Sequence, residues 1–224
     1  VYVADIYLRS MDCLQRGFAG GKWKKTQAKV RVIAQDNYAV MAMTGDNSQN
    51  FTSGWVVANG NILRKTKNSK RDLCLIYRTG EMVTLKAAQI DHKKITDEMD
   101  QLWQSFLFGP VLLDENGKAM TKFNTNVGPA NPRSVIGYYE PGHYCLVQVD
   151  GRRTESRLEK GKINVGMTMK QTSALMEQLG CAAAYNLDGG QSSVLWYNGE
   201  NLSNPYNGGR NVMDAVLILD GAVN

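Results

Sequence analysis

This chain of 224 residues has only two histidines, His92 and His143. Neither stands in a serine or cysteine motif, so nucleophilic-triad chemistry has no footing here. His143 belongs to Glu140-Pro141-Gly142-His143, which reads as a hairpin turn. The four cysteines (Cys13, Cys74, Cys145 and Cys181) lie far apart, with no Cys-x-x-Cys or Cys/His spacing. That excludes a metal–thiolate site or a dithiol redox motif. Three of them sit in apolar runs, where a thiol packs as a small core residue; no disulfide pairing can be read. No apolar run is long enough to cross a membrane, and no signal peptide, repeat or linker is visible. Net charge is +5, but the cations are scattered, clustering only at Lys22-Trp23-Lys24-Lys25 and within 65–71. Without a basic stripe and stacking aromatics, a nucleic-acid partner is not expected.

What is present is a chain 43% hydrophobic, long enough for one substantial core. Residues 1–8 alternate like a strand from the outset, as if the chain began downstream of a leader. Further strands are predicted over 28–34, 38–43, 55–58, 73–78, 82–85, 107–113, 134–139, 144–149, 181–185, 194–197 and 212–219. Arg78-Thr79-Gly80-Glu81 suits a tight hairpin. Helices are fewer. Over 168–179, Thr168 and Gln171 have capping-box spacing, and Gly180 suits the stop. A second is predicted over 96–106 from the stripe Met99, Leu102, Trp103 and Phe106. The expectation is a single α+β domain over 1–224, with a largely antiparallel or mixed twisted sheet and a few helices on it.

The densest signal is Asn186-Leu187-Asp188-Gly189-Gly190-Gln191-Ser192-Ser193, between two strand-like runs. An acid at a strand end, followed by paired glycines and hydroxyls, can gather a carboxylate, backbone N–H groups and serine oxygens around one polar ligand. Arg133, leaving the irregular loop before the 134–139 strand, can offer a planar fork to phosphate or carboxylate. If that strand pairs with 144–149, Arg133 falls at the same end as Asp150-Gly151-Arg152. Loops held at one end of a rigid sheet are common places for a site. Gly45-Asp46-Asn47-Ser48 repeats the pattern of an acid after an apolar run. Asn204-Pro205 and Asn207-Gly208-Gly209-Arg210 form a late polar loop, with Arg210 as another anion ligand.

Taken in order, these motifs resemble the phosphodiester glycosidase family: Asn131-Pro132-Arg133-Ser134 with Gly137, Val149-Asp150-Gly151-Arg152, Gly166-Met167-Thr168, the 186–193 segment, then Asn204-Pro205 and Arg210 with Val212. Phe108-Gly109-Pro110-Val111-Leu112 is similar as well. The best-known member removes N-acetylglucosamine from phosphodiester-linked mannose 6-phosphate. Two departures stand out. Gln191 replaces a third glycine, and Thr44-Gly45-Asp46-Asn47 is all that corresponds to an early Asn-Gly-Gly motif.

The resemblance implies hydrolysis of a sugar-1-phosphodiester in a phosphorylated glycan or wall polymer. Such a reaction needs the phosphate charge held and positive charge at the anomeric carbon stabilised. Asp188 is then the key carboxylate, with Asp150 and Asp46 as candidate partners. Arg133, Arg152 and Arg210 would hold phosphate, while Asn186, Gly189, Gly190, Ser192, Ser193 and Asn204 would shape the pocket and bind oxygens. No cofactor is required, although acids and carbonyl-rich loops could hold a hard cation such as Ca²⁺. An extracellular or cell-surface location follows from the family. The alternatives are a non-catalytic binder of anionic glycans on the same scaffold and a phosphodiesterase cleaving P–O.

Overall fold

The computed structural model describes residues 1–67, 70–156 and 159–221. Its strand ladders are all antiparallel among the described residues. One sheet has four strands in the order Tyr2–Tyr7, His143–Val149, Arg133–Glu140, Ala183–Asn186. A second has five: Glu200–Asn201, Leu195–Tyr197, Ala39–Thr44, Asp214–Leu219, Leu14–Phe18. A three-stranded sheet orders Met82–Leu85, Leu73–Tyr77, Leu102–Phe106.

The three sheets share one apolar core. Ile136, Leu146 and Tyr185 of the first meet Leu14, Met43 and Val216 of the second and Cys74, Ile76 and Phe106 of the third. The outer faces of the two larger sheets each take a helix. Val30, Ile33 and Ala34 pack on Ala42, Trp196 and Leu217. Met169 and Met176 pack on Val135, Cys145, Val147 and Ala184. The layering is therefore helix, sheet, sheet, helix: an α+β architecture with two sheets whose loops can meet along one border.

The 168–179 helix is observed as Met169–Gln178, with Thr168 and Gln171 capping each other reciprocally. Gly180 takes φ +78° just beyond it. The 78–81 hairpin also forms, pairing Ile76 with Met82. Three expected elements differ. Residues 28–34 hold a helix, Val30–Asp36, instead of a strand. There the i, i+3, i+4 spacing of Val30, Ile33 and Ala34 onto the sheet outweighs β-branched propensity.

The 96–106 helix is replaced by a helix at His92–Asp97, a 3₁₀ turn and the strand Leu102–Phe106. Asp91 accepts from the N–H groups of Lys93 and Lys94, so the helix starts earlier. The strand is buried on both sides, so it shows no period-two alternation to read. Residues 107–113 form no strand either. They are a largely buried loop with isolated bridges at Val111 and Leu113 and backbone hydrogen bonds linking Leu112 N–H to Ala184 O and Asn186 N–H to Pro110 O. Two carboxylates take its remaining amides: Asp46 accepts from Leu107 and Phe108 N–H, both at 2.7 Å, and Asp72 accepts from Val111 N–H at 3.1 Å. All four cysteines are buried free thiols.

Candidate active site

The strand Ala183–Asn186 ends beside the strand Arg133–Glu140, and the turn after it is sewn to both large sheets. Leu187 N–H donates to Ser134 O and Gly190 N–H to Pro132 O, while Asp188 N–H reaches Gly45 O at 3.0 Å. The two glycines are required by their neighbours. A Cβ on Gly189 would stand 2.8 Å from Pro132 O. Gly190 has φ +64°, and its Cβ would meet the Arg152 guanidinium at 2.5 Å.

Beside this turn lies a cavity of about 200 Å³, lined by Phe108, Val127, Asn131, Arg133, Arg152, Asn186, Asp188, Gly189, Gly190 and Arg210. Seven of the sequence-nominated residues thus meet here. The pairing of Arg133 with Val149 puts Arg133 and Arg152 at one sheet end, as the hairpin predicts.

Arg133 is 2% exposed. Its guanidinium donates to three carbonyls: Met167 O at 3.0 Å, Pro129 O at 2.5 Å and Gly128 O at 3.4 Å. It has no carboxylate partner among the described residues. Burial pulls its pKa down to about 10, so it remains a cation at neutral pH. The carbonyls engage Nε and Nη2, leave Nη1 without an acceptor among the described residues, and leave the charge uncompensated.

Asp188 is 6% exposed. It accepts from Gly189 N–H at 2.9 Å and from Arg210 Nη2 at 3.3 Å. Burial raises its pKa above the ordinary carboxylate value, opposed by Ser192, Arg210 and Gly189 N–H. Arg210 is held in turn by Ser192 Oγ, which accepts from its Nε at 2.6 Å. Asn186 donates through Nδ2 to Gly109 O and Leu187 O, while its buried Oδ1 finds no donor among the described residues. Arg152 donates to Asn131 Oδ1 at 3.3 Å and lies over the Tyr206 ring.

The other nominated residues stand outside the cavity lining. Ser193 is buried against Ser134 Oγ. Asp150 accepts from Asn204 N–H through both carboxylate oxygens, tying the late loop to the sheet end. Asn204 also donates to Glu155 O. Asp46 lies deepest of the nominated acids. It is fully buried, holding the 107–108 amides and facing Arg16 at 3.5 Å. It anchors the 107–108 loop and is not among the residues lining the cavity. Gln191 is not a lining residue either; its carbonyl accepts from Arg210 N–H.

Sequence reasoning did not nominate Phe108, Val127 or Asn131 as site residues. Phe108 and Asn131 stood inside quoted motifs, whereas Val127 carried no chemical signal. It also missed the buried pair of Arg16 and Asp214, 2.7 Å apart. Among the described residues no group of three His, Cys, Asp or Glu side chains is placed to hold a metal ion.

The phosphodiester glycosidase sequence profile matches residues 30–219. The chain belongs to the phosphodiester glycosidase family. Zebrafish N-acetylglucosamine-1-phosphodiester alpha-N-acetylglucosaminidase, whose catalytic domain was solved auto-inhibited by its pro-peptide, has a similar fold. The TM-score is 0.73 at 19% identity, covering 98% of this chain and 82% of that one. A hypothetical protein from Synechocystis is similar at TM-score 0.63 and 14% identity, over 96% of this chain and 58% of its own. An SPbeta prophage-derived uncharacterized protein of Bacillus subtilis is 26% identical over 150 residues. That match takes in 66% of this chain but only 22% of the relative.

Proposed function

We propose that this phosphodiester glycosidase hydrolyses a sugar-1-phosphodiester in a phosphorylated glycan or wall polymer. Water adds across the glycosidic C–O bond, releasing the sugar and a phosphomonoester. The observation that carries the reading is Arg133, a buried guanidinium without a carboxylate partner among the described residues, lining a cavity with Arg152, Arg210 and one acid. A buried cation of this kind favours an anionic ligand, and a guanidinium fork matches phosphate oxygens.

In this reading Arg133 holds the diester, with Arg152 and Arg210 assisting. Asp188 supports positive charge at the anomeric carbon or activates the attacking water, with Arg210 keeping the carboxylate in place. Asn186 Oδ1 accepts from a sugar hydroxyl. A phosphomonoester leaves readily, so the chemistry does not demand a strong general acid. Export to the cell surface or beyond is part of the same proposal, because glycosyl-phosphate polymers are found there.

The test is turnover of a glycosyl phosphodiester in ¹⁸O-labelled water. Label in the sugar supports C–O cleavage; label in the phosphate would make the protein a P–O-cleaving phosphodiesterase. Asp188→Asn, still folded, should lose roughly a hundredfold or more in kcat. Wild-type turnover by that variant would sink the assignment. Binding with no turnover across a panel of diesters would leave a glycan-binding module.

A further inference from the structure

A larger groove of about 530 Å³ lies next to the cavity, and Phe108 and Val127 line both. Its other walls are residues 50–53, residues 70–72 and residues 124–126. The walls are joined: Asn124 Nδ2 donates to Lys70 O at 2.8 Å and to Asp72 Oδ1 at 3.3 Å. The 124–126 wall is therefore tied to the 70–72 wall, and Arg71 reaches the third segment through the Phe51 ring.

Its chemistry is polar and cationic. Asn50, Thr52, Ser53, Asn124, Thr125 and Asn126 offer hydroxyl and amide groups, alongside Lys70 and Arg71. Arg71 sits over the Phe51 ring at 3.8 Å and makes no ion pair among the described residues. The one acid in the lining, Asp72, is buried and already accepts from Ala87 and Val111 N–H as well as Asn124. Among the described lining residues the two cations Lys70 and Arg71 outnumber this one acid.

We propose that this groove is a second subsite, which takes the next anionic repeat of a polymeric substrate. It rests on the hydrolase reading above: the scissile diester occupies the cavity, and the chain continues past Phe108. Arg71 engages the neighbouring phosphodiester or carboxylate, and the amides and hydroxyls meet the intervening sugar or polyol. The substrate class is then a repeating anionic glycan, not an isolated glycosyl phosphodiester. Cavity and groove together accommodate more than one repeat, and both are cationic.

The experiment compares a glycosyl methyl phosphodiester with an oligomer of several phosphodiester-linked glycosyl units. Arg71→Ala should lower kcat/KM for the oligomer roughly tenfold while leaving the methyl diester unchanged. Equal loss on both substrates, or no loss on either, would overturn the subsite. Oligomer binding to Asp188→Asn, measured by titration calorimetry, separates this proposal from the hydrolase reading. If wild type cleaves neither substrate, the hydrolase reading fails. The groove then stands or falls on whether Arg71→Ala in the Asp188→Asn background weakens oligomer binding.

Discussion

The clearest lesson at the residue scale is how differently the structure uses its buried acids. Asp188 borders a cavity under a cation, whereas Asp46 faces inward and ties a loop. Their titrations are separable. Burial raises Asp188 and Arg210 opposes that rise. If catalysis needs the ionised carboxylate, the acid limb of the pH–rate profile lies above the usual carboxylate range. Arg210→Ala removes a lowering influence and should move the limb further up. A limb that stays in place would remove Arg210 from that role.

For Asp46, burial raises the pKa from 3.8 to about 6, with Asp214 adding to it and Arg16 opposing. The folded form therefore holds its proton more tightly than the unfolded chain. The corresponding stability is complete below about pH 4 and is lost as pH rises through about 6. Asp46→Asn should flatten that segment of a denaturant-midpoint against pH curve. Unchanged curvature would mean that Asp46 does not titrate there.

At the scale of elements, the buried 107–113 loop decides where the site wall stands. Asp72 bonds Ala87 N–H on one side and Val111 N–H on the other. Asp72→Ala would strand both donors and should destabilise the fold by about 3 kcal/mol, measured by urea denaturation. Thr168→Ala should cost about 1 kcal/mol, the ordinary value of a lost helix cap.

The sequence announces some of these elements and conceals others. Thr168 with Gln171 and the 78–81 turn are local chemistry, visible without a partner. The hairpin between Arg133–Glu140 and His143–Val149 follows from turn residues, and it places Arg133 and Arg152 at one sheet end. Leu102–Phe106 is buried throughout and the 107–113 loop is buried except at Phe108, so no alternating polar face marks their period. The loop contacts of Asp46 were hidden for a related reason: an acid after a strand looks alike whether it meets solvent or holds amides 61 residues away. Val127 enters the site through loop placement, which no residue type signals.

Across the whole molecule, the cavity belongs to both large sheets. Arg133 and Asn186 come from the four-stranded one, while Arg210 leads into Asp214–Leu219 of the other. The excess of cations around the site and the net charge of +5 predict a salt-dependent KM for a polyanionic substrate, rising with ionic strength. A KM indifferent to salt would argue against electrostatic capture.

Asp188 N–H donating to Gly45 O is one stitch between the sheets, and a bound anion held by Arg133 and Arg210 would be another. A ligand at this place acts as a rivet. It should slow amide hydrogen exchange deep in Ala39–Thr44 and Asp214–Leu219, strands that never touch it, because any opening that parts the sheets must first release the anion.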